Sequence, residues 1–82
     1  MNKFEYTIKD ENGVHARPAG LIVRQAQKYD FDIEITCNGK VGNLKKLLAL
    51  MGMGIKKGDT VTVSAPKGKD ISALLEFFEQ NL

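Results

Sequence analysis

The sequence predicts an α+β domain of two layers, in which a four-stranded antiparallel sheet carries three helices on its apolar face. Three observations predict it. The spacing of apolar residues switches repeatedly between period two and the helical period, giving the order β-α-β-β-α-β-α. The alternating runs are short and apolar on one side only, which suits antiparallel strands with one covered face. With 82 residues, the chain suits a single core, so residues 1–82 are read as one domain.

Each element has a local reason. Phe4, Tyr6 and Ile8 fall at period two and mark the first strand. Asp10 to Gly13 supplies a turn, and from Ala16 to Tyr29 the stripe Ala19, Ile22, Val23, Ala26 and Tyr29 marks a helix. Gly20 costs that helix about 1 kcal/mol relative to alanine, which a close approach of another element would rationalise. Phe31, Ile33 and Ile35 alternate with polar residues as a second strand. Asn38-Gly39, a strong hairpin signal, leads into a short third strand near Lys40 to Gly42. Leu44 to Met53 reads as a short helix that Gly52 and Gly54 can end. Val61 and Val63 mark the fourth strand. Asp70 can cap a last helix with the stripe Ile71, Leu74, Leu75, Phe78 and Leu82.

Composition narrows the function. An apolar fraction of 43% is ordinary for a globular protein, and the formal charge of +2 is too small for a nucleic-acid binder. The groups Lys45-Lys46, Lys56-Lys57 and Lys67–Lys69 read as solvated charge. The single cysteine, Cys37, lies in an alternating apolar segment and reads as a small core residue. One cysteine and one histidine make a poor zinc site, so neither metal nor cofactor is expected. With no apolar leader and no run of membrane-spanning length, the expectation is a cytoplasmic protein without membrane insertion.

The chemistry concentrates in Gly13-Val14-His15-Ala16-Arg17-Pro18-Ala19. His15 falls where turn gives way to helix, and Pro18 suits a first turn, where an N–H has no intrahelical partner. Unpaired N–H groups and the helix macrodipole favour a phosphate at that terminus. Arg17 adds a guanidinium suited to phosphate oxygens. The same field favours a neutral imidazole, whose free nitrogen can attack phosphorus. Such a site can take up and release a phosphoryl group without strong preference for either state. By position alone, a histidine at a helix start is more often a structural cap or an exposed residue. No second motif competes. The chain gives no hint of a nucleophilic triad, and Gly52-Met53-Gly54 lacks the rest of a dinucleotide fingerprint.

The His15 segment resembles the active-site signature of the HPr family, the histidine-containing phosphocarriers of the bacterial sugar phosphotransferase system. Asn38-Gly39-Lys40, Asn43-Leu44-Lys45 and Leu50-Met51-Gly52-Met53-Gly54 resemble the family's second pattern, around its short middle helix, and the likeness runs along nearly the whole chain. The resemblance implies an open-faced β-sandwich and a carrier rather than a catalyst. It implies that His15 takes phosphate on Nδ1 from enzyme I, itself charged by phosphoenolpyruvate, and passes it to sugar-specific enzyme II A domains. Arg17 would steady the phosphoryl group, with backbone donors from Ala16 and Arg17, and the carrier would be monomeric. Leu47, Leu48 and Met51 match the family's apolar docking patch, although periodicity alone favours core packing for them. Lys46 occupies the position where many Gram-positive members carry a regulatory serine. The only serines here are Ser64 and Ser72, so control by a serine kinase is in doubt. The alternative is a regulatory paralogue that acts by phosphorylation-dependent protein binding, or one serving a nitrogen-related or dihydroxyacetone-specific chain.

Overall fold

The computed structural model describes residues 1–82. The elements are β1 (Lys3–Thr7), α1 (Ala16–Ala26), β2 (Glu34–Cys37), β3 (Lys40–Asn43), α2 (Leu47–Met51), β4 (Thr60–Ser64) and α3 (Ser72–Asn81). The sheet order is β1-β4-β2-β3, and each neighbouring pair is antiparallel. This is the α+β order that the periodicities predict, in an open-faced β-sandwich. Phe4 pairs with Val63 and Tyr6 with Val61, while Ile35 pairs with Val63 across the other edge of β4. Their side chains therefore share the covered face. They join Ile22, Val23, Leu74 and Phe78 from the helices in one buried cluster. Phe78 meets Phe4 and Tyr6 edge-on, with centroids 5.4 and 5.9 Å away, an arrangement aromatic rings favour. Cys37 lies in the same core, where burial pushes its thiol pKa up, as for an unreactive cysteine.

Several boundaries move for identifiable reasons. The first helix ends at Ala26, short of Tyr29, because Lys28 and Tyr29 donate to the carbonyls of Gln25 and Ala26 in a tighter final turn. The Tyr29 carbonyl is taken by Lys45 Nζ at 2.6 Å. The second strand begins at Glu34, not Phe31, leaving Phe31 half-buried against the core beside Tyr29. Asn38 and Gly39 form the hairpin with φ of 51° and 79°.

The middle helix begins at Leu47 rather than Leu44. The Leu44 N–H still reaches into the sheet, to the Ile33 carbonyl at 2.9 Å. Asn43 then reverses the chain, accepting the Lys45 N–H on its side chain and the Lys46 N–H on its carbonyl. Ile71 is the N-cap of α3, one residue later than expected, yet Asp70 still receives the Ser72 N–H at 3.0 Å. The Ser72 hydroxyl, then the Met1 ammonium and the Ser72 N–H, hold the Asp70 carboxyl well below the usual carboxylate range.

Two glycines behave oppositely. At Gly13, with φ +64°, an added Cβ would stand 2.4 Å from the Ile55 carbonyl oxygen, so only glycine fits. At Gly20 nothing lies within 4 Å, so no close approach explains this residue. Gly20→Ala should therefore stabilise the protein by about 0.5–1 kcal/mol. Gly13→Ala should destabilise it by about 1–3 kcal/mol or rearrange the loop. Urea denaturation monitored by circular dichroism reads both.

Candidate phosphoryl-transfer site

The loop between β1 and α1 is pinned before it reaches the helix. Gly13 donates to the Asp10 carbonyl at 2.9 Å and Val14 to the Ile55 carbonyl at 3.0 Å, while the Val14 side chain is buried. His15 follows in an extended conformation, with φ −94° and ψ 179°, as the N-cap of α1. Its side chain makes no cap hydrogen bond, so the imidazole is not consumed in starting the helix. The ring is 40% exposed, and its Nε2 lies 3.6 Å from Asp10 Oδ1.

The helix start leaves two backbone donors free. Ala19 donates to the His15 carbonyl at 3.0 Å, and Pro18 has no N–H. The remaining first-turn donors are Ala16 and Arg17, both exposed. No acidic residue in the first turn opposes an incoming anion. The Arg17 side chain belongs to none of the ion pairs in the molecule. It lines, with Asp10, His15, Pro18, Leu21, Gln80 and Asn81, a shallow depression of about 190 Å³. Of three larger depressions, one of about 240 Å³ is lined by Met1, Asn2, Gly68, Lys69 and Asp70, and those of about 340 and 250 Å³ lie over Asp32 and Glu34 and include no histidine and no basic side chain. Their size is no guide here, because paired carboxylates repel a phosphate.

Residues 2–81 match the family described as the PTS HPr component phosphorylation site. The chain belongs to the HPr phosphocarrier family. It is 38% identical to the phosphocarrier protein HPr of Mycoplasma capricolum over 82 residues, spanning 100% of this chain and 91% of that protein. The solved structure of a Mycoplasma histidine-containing phosphocarrier superposes with a TM-score of 0.82 at 38% identity, over 96% of this chain and 89% of the other. An HPr from Bacillus anthracis gives 0.80 at 30% identity, over 98% and 94%. The kind of protein is therefore a phosphocarrier of the phosphotransferase system, and no helix is long and apolar enough to cross a membrane.

The middle helix divides its apolar residues between two faces. Leu50 is 1% exposed and joins the core, whereas Leu47, Leu48 and Met51 are 39%, 84% and 38% exposed. Core packing, which periodicity favours for these three, is overturned. The helix is only five residues long, and a single side chain suffices to anchor it. Lys46 is its exposed N-cap.

Sequence reasoning missed Asp10 and Leu21 as neighbours of His15. Leu21 is 37% exposed and lies off the buried stripe of α1, an offset visible in the helical spacing. Gln80 and Asn81 come from the far end of the chain, and no local signal places them. Leu48→Ser should leave stability within about 0.5 kcal/mol of the wild type, whereas Leu50→Ala should cost about 2–5 kcal/mol. Thermal and urea unfolding of the two variants distinguish a surface face from a core face.

Proposed function

We propose that His15 is the phosphoryl acceptor and donor, using Nδ1, and that the group arrives from enzyme I and leaves to enzyme II A domains for sugar uptake. The observation that carries this reading is an imidazole at a helix N-terminus whose only free first-turn donors, Ala16 and Arg17, adjoin it. In the forward step the Nδ1 lone pair forms a bond to phosphorus. The bond to the donor's leaving nitrogen breaks and that nitrogen keeps the electron pair. The Ala16 and Arg17 N–H groups and the Arg17 guanidinium then face the phosphoryl oxygens. These donors stand in place before charge develops, so no reorganisation is needed during transfer. The reverse step discharges the group to an acceptor. The protein acts as a substrate of its partners, not as a catalyst, in the cytoplasm. The carrier is read as a monomer.

Partner docking is assigned to Leu47, Leu48 and Met51. Three exposed apolar side chains on one short helix are hard to reconcile with a free solvent face, and α2 packs against α1, which carries the site. Lys46, at the start of that helix, gives this face a fixed cation and no hydroxyl to phosphorylate. The reading is therefore of a carrier that serves transfer without serine-kinase control. An acidic partner surface would be attracted, and salt would screen the attraction.

Incubation with enzyme I and phosphoenolpyruvate should add one acid-labile, base-stable phosphate, lost in His15→Ala. Arg17→Ala should keep the fold and slow transfer. Labelling that persists in His15→Ala would remove the assignment.

Leu47→Asp and Met51→Asp should weaken calorimetric binding to enzyme I and to enzyme II A domains in folded protein. Lys46→Glu should slow association with enzyme I at low salt. An HPr kinase with ATP should give no stoichiometric phosphorylation of the wild type. Unchanged affinities in the aspartate variants would return the patch to a structural role.

A further inference from the structure

Asp10 is the only acidic side chain in the depression around His15, and the transfer chemistry described above makes no use of it. Its Oδ1 lies 3.6 Å from His15 Nε2. The carboxylate is held there by its own turn. Oδ1 accepts the Asn12 N–H at 2.8 Å, the Asp10 carbonyl accepts from Gly13, and the Asp10 N–H donates to the Leu82 carbonyl at 2.7 Å. The imidazole stands at the helix start, where its backbone is the N-cap and its side chain makes no cap hydrogen bond. A held carboxylate thus faces a ring free of other hydrogen bonds, with side-chain exposures of 40% for His15 and 29% for Asp10. The separation exceeds hydrogen-bond length by roughly 0.7 Å, a gap of the kind that closes at catalytic centres when a substrate docks.

The other polar groups around the ring cannot take this role. Arg17 is a cation with no acceptor. Gln80 and Asn81 are neutral and cannot offset a positive ring, and the Asn81 amide already donates to the Phe77 carbonyl at 2.8 Å. A carboxylate beside one ring nitrogen fixes the tautomer and so decides which nitrogen keeps its lone pair.

We propose that Asp10 is a positioning residue for phosphoryl transfer: it holds the His15 proton on Nε2, frees Nδ1 to attack, and stabilises the positive charge the ring acquires. This rests on the reading of His15 as the phosphoryl carrier. As Nδ1 bonds to phosphorus and the donor's nitrogen leaves with its electron pair, the Nε2 proton stays in place. The ring becomes cationic beside the Asp10 carboxylate. On discharge, an acceptor attacks phosphorus, Nδ1 recovers the electron pair, and the ring leaves as the neutral Nε2–H tautomer. The carboxylate and the helix terminus thereby divide the labour, one serving the ring and the other the phosphoryl oxygens.

The test separates this role from a merely structural one. Asp10→Asn keeps an oxygen for the Asn12 N–H and for Nε2–H but removes the charge, whereas Asp10→Ala removes both. Ring ¹⁵N spectra of the unphosphorylated proteins, at alkaline pH where the imidazole is neutral, give the tautomer ratio. The Nε2–H to Nδ1–H ratio should fall about two- to fivefold in Asp10→Ala, the range for a partly exposed pair, and be retained in Asp10→Asn. Transfer from phosphorylated enzyme I should slow by about two- to fivefold in Asp10→Asn. An unchanged ratio in folded Asp10→Ala, or wild-type transfer in Asp10→Asn, would overturn the proposal. Absence of phosphate on wild-type His15 would instead defeat the carrier reading, and the tautomer measurement on unphosphorylated protein keeps the two failures apart.

Discussion

The site depends on the passage of the Gly13 backbone against the Ile55 carbonyl. The chain passes so close that a methyl group there would overlap the Ile55 oxygen, and the Val14 N–H donates to that same oxygen. This clamp fixes the direction in which the chain enters α1, with Val14 buried on one side of His15 and Pro18 on the other. The imidazole therefore sits beside the helix start without a hydrogen bond to its donors. A looser entry would leave the ring at the helix start but not aligned with its free N–H groups, and alignment is what transfer requires.

Pro18 sharpens the same arrangement. By lacking an N–H it removes one candidate phosphate donor, and Ala19 is already engaged with the His15 carbonyl. The anion-binding capacity of the terminus narrows to Ala16 and Arg17, the residues next to the ring. Asp10 completes the surroundings from the opposite charge. Its carboxylate faces Nε2, while the helix terminus and Arg17 supply positive potential. Opposed fields of this kind suit a group that must be both a competent nucleophile and a good leaving group.

The short middle helix shows how little anchoring an exposed apolar face needs. Leu50 enters the core and Leu44, just before the helix, is fully buried in continuity with the sheet. With those two side chains inside, Leu47, Leu48 and Met51 are left outside. A lysine at the N-cap stands at the positive end of the helix dipole, with no acidic residue in the first turn to offset it. A cation in that place does not favour the helix locally.

Much of the fold was legible because local periodicity and turn chemistry agree with the tertiary arrangement. Phe4, Tyr6 and Ile8 alternate because one face of β1 meets the core, and Asn38-Gly39 tolerates the positive φ its turn requires. His15, Pro18 and Arg17 could be placed at a helix start because capping is decided within a few residues. The sequence by itself thus determined the element order, the covered face of the sheet and the helix start at which His15 and Arg17 stand. The tertiary structure decided which leucines of the middle helix face outward, because Leu44 remains bonded to Ile33 and delays the helix to Leu47. It also decided that nothing stands where a side chain at Gly20 would go, and that Asp10, Leu21, Gln80 and Asn81 line one depression with His15. These are outcomes of how distant segments meet, and no spacing along the chain encodes a distance between segments that only packing brings together.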